Sequence, residues 1–108
     1  MSVVMVYVTA SDPAEAEKLG RAAVEARLAA CANVLGATTA IYWWEGKVES
    51  GPEAALVLKT REDLVPALTD KINALHSYDC PCVVAVPIVD GNRAFMQWLE
   101  DETAPAPD

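Results

Sequence analysis

The segment His76-Ser77-Tyr78-Asp79-Cys80-Pro81-Cys82 holds the only histidine of the chain and two of its three cysteines. If Cys80 and Cys82 lie in extended backbone, their i, i+2 spacing puts both sulfurs on one side, and His76 can approach from the end of a preceding helix. Two thiolates and an imidazole suit Cu(I) or Zn(II), which take soft sulfur and borderline nitrogen ligands, and Asp79 adds a carboxylate. The expected metal set is therefore His76, Cys80, Cys82 and Asp79, for copper or another divalent cation. Against it, Cys-Pro-Cys lacks the spacing of a paired Cys-x2-Cys site, and a buried cysteine is ordinarily a small apolar residue. Cys31, in Ala29-Ala30-Cys31-Ala32, reads as packing.

Catalysis has less support. Cys31 or Cys80 as a nucleophile needs a base, and His76 is the only imidazole on offer. Asp79, Glu45 and Glu53 could act as carboxylate ligands or general bases, although solvated surface carboxylates are the default. A phosphate-cradling glycine loop, a Ser-His-Asp set and a His-Glu-x-x-His motif are all missing from the sequence, so the chain is expected not to be an enzyme.

Charge and composition narrow the partners. Eight basic residues against 16 acidic ones give a net charge of −8, which repels nucleic acid and anionic lipid and attracts cations. No apolar run reaches the roughly 20 residues that span a bilayer, and the N-terminus has no basic stretch followed by an apolar core. Three cysteines, an odd number, do not make a disulfide scaffold. These features lead to the expectation of one soluble, cytoplasmic domain over residues 1–108, with a frayed tail from about 102.

The elements that must position these groups follow from periodicity. Val3 to Val8 is a continuous apolar run, a strand covered on both faces or set in a sheet centre. Asp12-Pro13-Ala14-Glu15 is a helix start, with Asp12 as cap, Pro13 at the first position and Glu15 able to complete a capping box. Leu19, Ala22, Ala23, Ala26 and Ala30 then predict a helix to about Ala30. Asn33 to Trp44 and Val48 to Lys59 predict the arms of a long hairpin around Glu45-Gly46-Lys47, interrupted near Ser50-Gly51-Pro52. Thr60-Arg61-Glu62-Asp63 is a second capping signal, and Leu64, Leu68, Ile72 and Leu75 line a helix ending near His76. Cys82 to Val89 predicts a fourth strand, with Pro87 at a bend, an end or an edge. Asp90-Gly91-Asn92 opens a short helix carrying Phe95, Met96 and Leu99.

The order βαββαβ with an extra C-terminal helix is an α+β, ferredoxin-like sandwich with two helices on one face of an antiparallel sheet. Its other face needs a cover, and another subunit is the expected one. Trp43 and Trp44, being consecutive, point to opposite sides of the hairpin, so both sides carry a large aromatic suited to an intersubunit contact.

Thr9-Ala10 with Asp12, Leu28-Ala29-Ala30-Cys31-Ala32-Asn33-Val34, Ile41-Tyr42-Trp43-Trp44-Glu45-Gly46-Lys47, Leu58-Lys59-Thr60, Leu75-His76-Ser77-Tyr78 and Pro87 through Gly91-Asn92 closely resemble the CutA1 family of divalent-cation tolerance proteins. The likeness covers roughly residues 3 to 100. It implies a ferredoxin-like subunit in a homotrimer, similar in plan to the PII signalling proteins, with a role in tolerance to copper and other divalent cations. Family members commonly read His-Pro-Tyr-Glu-x-Pro-Glu where this chain has His76 to Cys82, and some carry a cysteine at the place of Val8 and a histidine at the place of Leu75. Of that proposed copper set only His76 is present here. A rival expectation is a PII-like small-molecule signalling module with its ligand between subunits; the intersubunit or ligand cleft draws on Tyr42, Trp43, Trp44, Glu45, Lys59 and Tyr78. A third is a trimeric scaffold that anchors a partner protein.

Overall fold

Residues 2–105 are described by a computed structural model. In chain order they form β1 (Val3–Ala10), α1 (Pro13–Glu25), β2 (Cys31–Trp44), β3 (Lys47–Arg61), a 3-10 turn at Glu62–Leu64, α2 (Val65–Leu75), β4 (Val83–Pro87) and α3 (Arg93–Asp101). The four strands make one antiparallel sheet in the order β2-β3-β1-β4. This is the expected ferredoxin-like plan. Val4, Val6, Val8 and Ala10 alternate toward the helices and meet Leu19 and Ala23 of α1, Leu68 and Ile72 of α2, and Leu56 and Leu58 of β3. On the other face of β1, Val3 is buried but Met5 and Tyr7 stay more than a third exposed, so the apolar run Val3 to Val8 is central in the sheet and its second face is covered only at its start.

The start of α1 follows the sequence closely. Asp12 caps the helix by accepting from the Glu15 amide at 2.8 Å, and Pro13 opens it. Its end does not: the helix stops at Glu25, five residues before Ala30. Arg27 takes φ 61°, the amide of Arg27 bonds Val24 O at 3.0 Å and that of Leu28 bonds Ala23 O at 3.0 Å. These are the paired bonds of a Schellman ending, here with arginine where glycine is usual. Thr60 is likewise not a cap, because its hydroxyl donates to Leu28 O, in the connection between α1 and β2, at 2.8 Å.

The hairpin turns in two residues, Glu45 at φ 50° and Gly46 at φ 79°. Two positive φ angles mark the tight turn whose twist suits a hairpin. β3 runs unbroken through Ser50-Gly51-Pro52, with Pro52 opposite Thr39, so the expected interruption is absent. β1 accompanies β3 only as far as Ala54, and beyond it β3 has a neighbour on one side, where a residue without an amide hydrogen is tolerated. The irregularity falls instead on β2, between Val34 and Gly36. The projecting hairpin stretches the chain to 44 × 27 × 24 Å with a radius of gyration of 14.4 Å, against about 13 Å for a round domain of this length.

β4 is shorter than predicted and ends at Pro87, on the sheet edge. Asn92 caps α3 by accepting from Ala94 N at 3.1 Å, and Leu99 packs under the helix with Val3 and Ala30. The segment after α3 is held rather than frayed through Ala104: its amide donates to Arg27 O at 2.8 Å, its carbonyl accepts from Arg61, and the Thr103 hydroxyl bonds Leu99 O at 3.0 Å. The rest of the expected tail, 106–108, lies outside the described residues. Among the described residues no helix is long and apolar enough to cross a membrane.

Candidate functional site

The hairpin and the loop from Ser77 to Cys82 enclose a cleft of about 620 Å³ on the sheet face away from the helices. Beyond the register shift at Val34–Gly36, even-numbered residues of β2 share that face, which brings Tyr42 and Trp44 to the cleft and turns Trp43 to the opposite side. Tyr78, Asp79, Cys80 and Cys82 line it from the loop, and Glu53 and Thr9 line its floor. Trp43, Glu45 and Lys59 do not line it. Glu45 is in the hairpin turn, and Lys59 donates to Asn33 Oδ1 at 2.7 Å with its ammonium 5.8 Å from the Phe95 ring.

Two hydrogen-bonded side chains anchor the loop. Glu15, from the first turn of α1, accepts from the amide and hydroxyl of Ser11 at 2.9 and 3.0 Å. It also accepts from the amide and hydroxyl of Ser77 at 2.9 and 3.0 Å, so the anticipated capping carboxylate works one residue earlier and ties the loop to the helix as well. Burial pushes its pKa up, but the four donors outweigh that and hold it at about 2. His76, whose side chain is 0% exposed, is the second anchor. Its Nδ1 accepts from the Tyr78 amide at 3.0 Å, which leaves Nε2 to donate to Thr9 O at 2.7 Å. The ring also lies 4.7 Å from that of Tyr78.

Tyr78 donates from its hydroxyl to Glu53 Oε2 at 2.9 Å. Burial first, then this hydrogen bond and the Glu53 charge, push the phenol up to about 12, so it remains a donor at neutral pH. Cys31 sits apart from the cleft in β2, where burial raises its pKa against the opposing pull of Lys59. A raised thiol pKa means little thiolate, which agrees with packing rather than chemistry.

A family model described as CutA1 divalent ion tolerance protein matches residues 4–102. The chain belongs to this family. Among CutA1 relatives, the divalent-cation tolerance protein CutA of Pyrococcus horikoshii is 43% identical over 101 residues, covering 94% of this chain and 98% of its own. Protein CutA 1, chloroplastic, of rice and human protein CutA are each 41% identical over 93% and 94% of this chain. This chain spans only 56% and 57% of those two longer proteins. Solved CutA1 structures share the fold: that from rice superposes with a TM-score of 0.94 at 39% identity over 96% of this chain and 95% of its own. The Thermus thermophilus one superposes with 0.92 at 38% identity over 94% and 99%.

The cation relation carried by the CutA1 family description can be tested against the donors present. The expected set of His76, Cys80, Cys82 and Asp79 does not fit a metal site within one chain. Both nitrogens of His76 are engaged by backbone groups and its ring is shut from solvent, while Asp79, Cys80 and Cys82 stand exposed at the cleft. Among the described residues no group of three or more His, Cys, Asp or Glu side chains converges to hold a metal ion. His76 therefore builds the loop that carries the other three. Sequence reasoning missed the partners that hold it, Thr9 and Glu15, because they lie more than sixty residues away in the chain.

Proposed function

We propose that the chain serves divalent-cation tolerance without catalysis, as a homotrimer in a reducing, cytoplasmic setting. The observation that carries the reading is the sheet face opposite the helices, where Met5, Tyr7, Val84 and Val86 stand exposed on neighbouring strands. An apolar sheet face needs a cover, and copies of the same chain supply one of matching chemistry. The names of the relatives supply the cation. With His76 set aside, Cys80, Cys82 and Asp79 remain as donors for weak binding of a soft ion such as copper, and one chain alone leaves that shell incomplete.

Light scattering and elemental analysis of protein purified under reducing conditions test this reading. A trimer mass is expected, together with copper uptake on titration that is lost when Cys80→Ser and Cys82→Ser are combined. A monomer, or uptake unchanged by the double substitution, overturns it.

A further inference from the structure

The cleft between the hairpin and the 77–82 loop has a chemistry that metal binding leaves unexplained. At about 620 Å³ it falls within the roughly 300–1,000 Å³ typical of small-molecule sites. Tyr42, Trp44 and Tyr78 contribute three aromatic side chains, and Glu53 and Asp79 two carboxylates. Among the described residues, none that lines the cleft is a lysine or arginine. Tyr42 and Trp44 lie two residues apart on one face of β2, about 7 Å along the strand, and Tyr78 reaches Glu53 by hydrogen bond.

Aromatic faces attract cations, most strongly when the cation is poorly hydrated, and carboxylates at the same site supply full negative charge. A compact metal ion makes little use of three rings. An anionic ligand such as a nucleotide would meet two carboxylates, no basic side chain and a chain of net charge −8. We propose that the cleft binds an organic cation, an alkylated or methylated ammonium, with its charged head against Trp44 and the Tyr78–Glu53 pair. This site shares Asp79 and one wall of the cleft with the proposed metal donors but needs neither thiol.

Calorimetric titration of the assembled protein with choline, and with its neutral isostere 3,3-dimethylbutanol, tests the proposal. Saturable choline binding about tenfold tighter than that of the isostere is expected, with a loss of about tenfold in Trp44→Leu and a comparable loss in Glu53→Gln. Trp98→Phe, in α3 and away from the cleft, should bind as the parent does. Absence of saturable choline binding, equal affinity for the isostere, or undiminished binding by a Trp44→Leu protein of native mass and circular dichroism would each overturn it.

Discussion

Glu15 ties Ser77, 62 residues along the chain, to the start of α1 through a carboxylate that accepts from both Ser11 and Ser77. Replacing one carboxylate oxygen by an amide sets N–H against N–H, so Glu15→Gln should destabilise the protein by about 2 kcal/mol at neutral pH, read from denaturant unfolding. The pH dependence has a definite sign. With a pKa of about 2 in the folded chain against 4.5 for the free group, the carboxylate contributes its stability in full above 4.5, and that contribution fades as pH falls toward 2. The Glu15→Gln protein should lack this part of the acid limb; an identical acid profile would mean the four bonds carry no net weight. Such residue-scale roles were half legible. Asp12-Pro13 announced itself because a cap is local, whereas His76 looked like a ligand because nothing near it in the sequence reveals that Thr9 and the Tyr78 amide occupy its two nitrogens.

At the level of elements, α1 lies close against the sheet at Gly20. A Cβ there would stand 3.1 Å from Ala32 Cβ and 3.3 Å from Leu56 Cδ1. Ala32 Cβ is fixed to the β2 backbone and cannot rotate away, so Gly20→Ala should cost about 1 kcal/mol despite the better helix propensity of alanine. Thermal unfolding checks it, and a stabilised variant would show that the helix can lift without loss. The element order was readable from apolar periodicity and its punctuation, which depend on neighbours in sequence. Two boundaries were not. Arg27 ends α1 in a conformation usually given to glycine, tied by an ion pair to Glu102 at 2.8 Å, and no local residue signals it. Pro52 looked like a break only because the sequence does not tell how far β1 accompanies β3.

For the whole molecule, assembly decides how the apolar surface is managed. Trp43 is 75% exposed, Trp44 61% and Val84 50%, a load that a lone subunit of this size would carry poorly. A charge at Val84 opposes any cover over that face, so if the proposed trimer forms there, Val84→Glu should shift it toward monomer at micromolar concentration, as sedimentation would report. Unaltered mass would move the interface elsewhere. The fold of one subunit was legible because its core is a local pattern, but the faces left open by that pattern say little about how copies meet. One more consequence comes from the backbone. β4 has a neighbour only in β1, β2 only in β3, and the outer half of β3 only in β2. The sheet therefore carries three lengths of one-sided ladder, the longest along β2. Dilution, rather than heat, is then the stress that would leave those ladders free to recruit stray strands.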